Sequence, residues 1–96
     1  MLHYIEKIIS IKGYRIRCPF NTAVVRSIDL KPIIDKYVAC NDGLMDKLVD
    51  LAYFQTVSLD SYGTLIWANG VDFDPDNLYS ISKSEAKLAD TSILAD

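Results

Sequence analysis

The stretch Trp67-Ala68-Asn69-Gly70-Val71-Asp72-Phe73-Asp74-Pro75-Asp76-Asn77-Leu78-Tyr79 decides how the chain is read. It holds the only Trp, an Asn-Gly turn signal, three Asp at alternate positions, a Pro and a Tyr. Trp67 reads as the end of a strand. Asn69-Gly70 reads as a tight turn with positive φ at both positions. Val71 to Phe73 is too short for a full strand before Pro75. Asp74 is placed to cap a helix, with Pro75 at its first position and Asp76 favourable to the helix dipole. A short helix through Leu78, Tyr79 and Ile81 follows.

Upstream of this block, Gln55 to Leu59 and Thr64 to Ala68 read as a β-hairpin closed by Asp60-Ser61-Tyr62-Gly63, with Gly63 suited to a left-handed position. Leu44, Met45, Leu48 and Leu51 recur at helical spacing, and Asp50 is placed to cap a second short helix holding Leu51, Tyr53 and Phe54. Asn41-Asp42-Gly43 breaks the chain before them. Residues 32 to 40 read as a single helical turn.

Residues 4 to 30 look like a three-stranded meander. Apolar side chains alternate in Ile5, Ile9 and Ile11, then in Tyr14, Ile16, Cys18 and Phe20. Lys12-Gly13 and Asn21-Thr22 supply the turns, and Pro32 stops the third strand's ladder. With two-residue turns, Ile9 faces Ile16 and Cys18 faces Val25 on a buried face. Arg15, Arg17 and Arg26 then share the opposite face, with Glu6 nearby. The expected fold is α+β: a three-stranded antiparallel meander, a short helical middle, a β-hairpin and a short C-terminal helix. Residues 1–81 form one domain. Residues 82–96 form a polar tail, possible as a frayed helix from the capping-box pattern Ser82-Lys83-Ser84-Glu85.

The 96 residues suit one domain. Half are hydrophobic, a globular composition, and the net charge of −3 argues against a general nucleic-acid binder. Cys18 and Cys40 are the only cysteines, without a CxxC or Cys/His cluster, so two buried thiols in a reducing compartment are expected. The first residues meet charge at Glu6 and show no leader pattern. No stretch approaches the roughly 20 apolar residues of a membrane span. A soluble, cytoplasmic protein is expected.

The spacing Trp67-x-Asn69-Gly70-x-Asp72-x-x-Pro75-x-x-Leu78-Tyr79 resembles the signature of small bacterial proteins grouped as domain of unknown function 2442. Asp29-Leu30-Lys31-Pro32 and Leu48-x-Asp50-x-x-x-Phe54-x-x-Val57 are compatible with that family. The resemblance covers residues 3 to about 80. It implies a compact α+β module, in some members followed by a helix-turn-helix and in others standing alone, in places beside a second small uncharacterised protein. Residues 82–96 are too few for a helix-turn-helix. The resemblance implies no activity and no catalytic residues.

Constellations that carry chemistry are sparse. Asp72, Asp74 and Asp76 invite a calcium reading, but an EF-hand loop needs Gly and Glu where Asn77 and Lys83 stand. Pro75-Asp76 with Glu85-x-Lys87 mimics a nuclease pattern, yet the Pro-Asp opens a helix. Histidine occurs once, at His3 on an end expected to fray, so no catalytic triad is assembled. No catalytic, cofactor-binding or metal site is expected. Arg15, Arg17 and Arg26 are candidate phosphate contacts, or else the solvated face of a sheet. Trp67 and Tyr79 either pack the turn or anchor an interface. Leu65 and Trp67 lie on one strand face and Ile66 on the other, so both faces are apolar. Ile66, Trp67, Asn69 and Tyr79 form the candidate interaction surface. The function expected is a small, non-catalytic protein-interaction or regulatory module acting as a homodimer. The alternative is a nucleic-acid-binding regulator using the arginine face, with an enzyme third.

Overall fold

Three strands at the N-terminal end build the main sheet of the computed structural model, which describes residues 3–41 and 43–84. They are β1 (Ser10–Lys12), β2 (Arg15–Pro19) and β3 (Val25–Asp29), paired as an antiparallel meander. Helix α1 (Lys31–Ala39), a 3₁₀ helix (Met45–Val49) and the short α2 (Leu51–Phe54) make the helical middle. A second, two-stranded sheet follows in β4 (Ser58–Leu59) and β5 (Leu65–Ile66). Helix α3 (Pro75–Ile81) leads into β6 (Lys83–Ser84), which pairs antiparallel with β3. The main sheet therefore runs β1-β2-β3-β6. The architecture is α+β, as expected.

The register departs from the expectation at both turns. The first turn is centred on Gly13-Tyr14, so Ile11 rather than Ile9 lies opposite Ile16. A slip of two residues keeps each side chain on its face. The second turn has one more residue than expected. Ala23 takes a left-handed φ of +68° after Asn21-Thr22, and its amide donates to the Phe20 carbonyl at 2.8 Å. That single residue moves Cys18 opposite Arg26 instead of Val25. The period of a strand is two, so the shift turns every β3 side chain over.

Ile16, Cys18 and Ile28 are fully buried on the inner face, against Leu30, Ile34, Leu48, Phe54, Leu65 and Leu78 from the other elements. Burial pushes the Cys18 thiol up to about 12, which keeps it protonated and inert. Cys40 is exposed, so the expectation of two buried thiols fails for it; both cysteines are free.

Helix α1 exceeds the single turn expected, because Pro32 sits in its first turn, where no backbone donor is needed, and starts the helix rather than merely ending the strand. The helical middle divides in two. Asp50 caps α2 by accepting from the Ala52 amide at 3.0 Å. Gly63 closes the second hairpin at φ +77°. At Asn69-Gly70 only the glycine has positive φ, +95°. Its amide donates to the Trp67 carbonyl at 3.0 Å, and the Trp67 amide donates to Val71 O at 3.0 Å. The turn is thus a three-residue one ending in a left-handed glycine, not a two-residue one.

Lys83-Ser84 belong to the segment expected to be a tail. They pair with Ser27 and Arg26 instead, because Ser82, extended at ψ 164°, ends α3 and redirects the chain along β3. Residues 85–96, with the remainder of the capping-box and nuclease-like patterns, lie outside the described residues. Among the described residues no helix is long and apolar enough to cross a membrane.

Asp74 caps α3 by accepting from the Asp76 amide at 3.2 Å. Asp74→Ala is expected to cost about 0.5–2 kcal/mol in thermal or urea melts, the usual loss for an N-cap. Added calcium is expected to leave the melting temperature of the parent unchanged. A rise of several degrees with calcium would replace capping by metal binding.

Candidate functional site

Trp67 is 3% exposed and packs between Phe54 and Phe73, with ring centroids at 5.5 and 5.8 Å. Its indole N–H donates to Phe54 O at 2.9 Å. A side chain so enclosed anchors the core, and the reading of Trp67 as an interface anchor is corrected. Ile66, on the other strand face, is half-buried, and Asp72 bridges to its backbone.

Asn69 works as a staple. Its amide donates to the Tyr53 hydroxyl at 2.9 Å, its Nδ2 donates to Leu44 O at 2.9 Å, and its Oδ1 accepts from the Val71 amide at 3.2 Å. The signature turn is thereby fastened onto the helical middle. Beside this fastening, Tyr37, Leu44, Met45, Val71 and Phe73 line an open groove of about 230 Å³. Tyr37 is 41% exposed, Leu44 55%, Val49 43% and Leu51 42%, so four large apolar side chains between residues 37 and 51 reach solvent. Leu44, Met45, Leu48 and Leu51 recur at helical spacing in the sequence. Met45 and Leu48, within the 3₁₀ helix, turn inward, while Leu44 just before it and Leu51 at the start of α2 stay outside.

The three arginines do not share a face. Arg15 and Arg17 lie on the outer side of the sheet, where Arg15 pairs with Asp29 at 3.6 Å. Arg26, turned over by the extra residue in the second turn, lies on the inner side. Its guanidinium sits 4.2 Å from the centroid of the Tyr79 ring, and it donates to the Ser82 carbonyl at 3.1 Å and to the Ser82 hydroxyl. It ties α3 and the start of β6 to β3.

His3 completes this cluster and was missed by the sequence reading. Its ring stacks on Tyr79 with centroids 3.8 Å apart and planes 17° apart. Since Arg26 stands within similar reach of the same ring, the two must flank opposite sides of Tyr79. The His3 amide donates to Asp76 Oδ1 at 2.8 Å, and Nδ1 meets the same oxygen at 2.6 Å. His3 and Asp76 stand 73 positions apart in the chain, and no local pattern announces their meeting. The three alternate Asp thus have separate duties: Asp76 holds His3, Asp74 caps α3, and Asp72 is exposed on the bridge to Ile66.

The hydrogen bonds from the His3 side chain and amide hold the Asp76 carboxyl below its ordinary 3.8. A carboxyl depressed in the folded state adds stability that is complete above the unfolded value and disappears as pH falls through the folded one. Acid titration of the parent against Asp76→Asn is expected to show this. The parent should lose stability more steeply below about 3.8, and the two curves should run parallel at higher pH. Curves parallel throughout would remove the linkage.

A family model described as Protein of unknown function (DUF2442) matches residues 5–84. Comparison with curated proteins gave no match. Among solved structures, the fold is similar to a crystal structure named "Putative DNA Binding Protein" from Nitrosomonas europaea. The TM-score is 0.69 and the identity 22%, over 91% of this chain and 53% of that one. The chain thus spans about half the length of the Nitrosomonas protein, and at this identity the likeness concerns the fold.

Proposed function

The chain belongs to the DUF2442 family, and from that premise we propose that it is a small, non-catalytic protein-interaction module that works as a two-fold dimer. The observation that carries this reading is the run of exposed apolar side chains over residues 37–51, in which Tyr37, Leu44, Val49 and Leu51 are each more than two-fifths exposed. Exposed apolar side chains concentrated on one segment of a small domain mark a contact surface, and two-fold pairing is the commonest way to cover one. The interaction surface moves accordingly from Trp67 and Tyr79 to this neighbourhood, with Asn69 at its border. The absence of catalysis fits the engagement of the chain's one histidine: its Nδ1 and amide are held by Asp76 and its ring lies on Tyr79. A reducing cytoplasm fits the two free cysteines, one of them exposed.

The competing reading, a nucleic-acid-binding regulator, draws on the name of the Nitrosomonas protein. That name belongs to a chain about twice as long, and here the loss of Arg26 to the inner face leaves only two of the three arginines, Arg15 and Arg17, on the outer one.

Sedimentation velocity at high micromolar concentration tests the proposal. The parent is expected to run as a dimer whose affinity is insensitive to salt, since apolar contacts are not screened. Leu44→Asp with Leu51→Asp is expected to run as a folded monomer. A parent that stays monomeric, or a dimer untouched by both substitutions, would remove this surface from the account.

A further inference from the structure

Charge in this chain is divided. Residues 1–34 carry six Lys or Arg against two Asp or Glu, and residues 35–84 carry three against eight. Strand register gathers part of the positive half onto one surface. Lys12, Arg15 and Asp29 stand abreast across β1, β2 and β3, and Ser10, Arg17, Ser27 and Lys83 stand abreast in the next row of the same face. Asp29 is the only acid among the described strand residues of this face. Lys12 and Lys83 are exposed, and the Arg15 side chain is 62% exposed. Arg17, half-buried in the second row, already has a contact of its own. Two recesses flank the Arg15–Asp29 pair. One, of about 290 Å³, lies between Arg15, Ser27, Asp29, Ile81 and Lys83. The other, of about 340 Å³, is lined by Lys12, Tyr14, Arg15, Asp29 and Lys31.

We propose that this outer sheet face is a second docking surface, and that its occupant is a short acidic peptide segment of a partner protein carrying an apolar side chain beside its carboxylates. The inference rests on reading the chain as an interaction module, and it names the chemistry of one partner. Charge complementarity selects an anion, since the described strand residues of the face carry four cations to one carboxylate. The first recess selects a peptide over a nucleic acid. Its wall includes Ile81, 40% exposed, beside Arg15 and Lys83, which suits an apolar side chain flanked by carboxylates. A nucleic-acid track would need a longer run of cations and a series of aromatic platforms for bases; the one aromatic lining the two recesses is Tyr14, whose ring packs edge-on against Phe54 and whose hydroxyl donates to the Val49 carbonyl. The acidic residues 35–84 would also repel an extended phosphate backbone.

Fluorescence anisotropy tests this with a fluorescein-labelled glutamate-rich peptide containing one leucine, and with a single-stranded oligonucleotide of equal length. The peptide is expected to bind at low salt and to weaken as salt rises. Arg15→Glu with Lys83→Glu should reduce its affinity at least about tenfold, since like charges now face it. Lys47→Glu, outside the sheet, should leave affinity unchanged. If the double variant melts early, Lys12→Glu at the exposed end of β1 provides the same readout. No peptide binding at low salt, binding indifferent to the reversals, or tighter binding of the oligonucleotide would each overturn the proposal. The dimer test above reads a different surface and is insensitive to salt, so the two proposals fail separately.

Discussion

Gly63→Ala is expected to destabilise the fold by about 2–4 kcal/mol, combining the cost of a left-handed residue with that of overpacking. Gly63 holds φ at +77° in the turn between β4 and β5. A Cβ there would stand 2.6 Å from Tyr4 Cβ, 3.0 Å from Ile5 O and 3.2 Å from Ile5 N. Two of those three atoms are backbone, and the Ile5 amide donates to the Gly63 carbonyl at 2.7 Å. Neither side can withdraw without breaking that bond, which joins the second hairpin to the N-terminal segment. Gly13→Ala is the control. It has a similar φ of +59° but nothing within 4 Å of the added atom. Its cost should stay near about 1 kcal/mol, the conformational part alone. Urea unfolding of the two variants measures the difference, and equal losses would show that the close approach at Gly63 carries no energy.

Trp67→Ala is expected to cost about 3–5 kcal/mol, the range for removing a large aromatic side chain from a core. Against a total stability of about 5–15 kcal/mol for a domain, that leaves little. The indole fills the space between Phe54 of α2 and Phe73, and its N–H reaches the Phe54 carbonyl at 2.9 Å. Its removal unseats the second hairpin from the helical middle. Trp67→Phe should cost less, because ring packing is partly kept and Phe54 O still accepts from the Val57 amide at 3.2 Å. Far-ultraviolet circular dichroism melts give both values. A folded Trp67→Ala with near-parental stability would return Trp67 to the surface role considered from the sequence.

Local chemistry made much of the fold legible. Asp74 and Pro75 announce the start of α3 because a side-chain oxygen and a missing donor suit a helix N-terminus, and Asp50 announces α2 for the first of these reasons. Gly63 and Gly70 announce turns because only glycine takes positive φ without strain. The α+β class follows from the change between period-two and helical spacing along the chain. The candidate surfaces were less legible. Trp67 is buried. Of the exposed apolar residues, Tyr37 lies on α1, Leu44 just before the 3₁₀ helix, Val49 at its end and Leu51 at the start of α2, after the chain has turned extended at Asp50 (ψ 113°) and broken the helical spacing.

The sequence by itself determined where α2 and α3 begin and where the turns at Gly63 and Gly70 fall, since caps, prolines and glycines act within a few residues of themselves. Only the tertiary structure decided which faces those elements present. One residue, Ala23, adopts a left-handed conformation that its type does not advertise, and so turns β3 over and carries Arg26 from the arginine face to Tyr79 and Ser82. His3 meets Asp76, and Lys83 joins the basic face, only after β6 has closed on β3 and α3 has docked on the inner side of the sheet. Such pairings depend on register and on loop closure across the whole chain, and a strand of period two converts an error of one residue into the opposite surface.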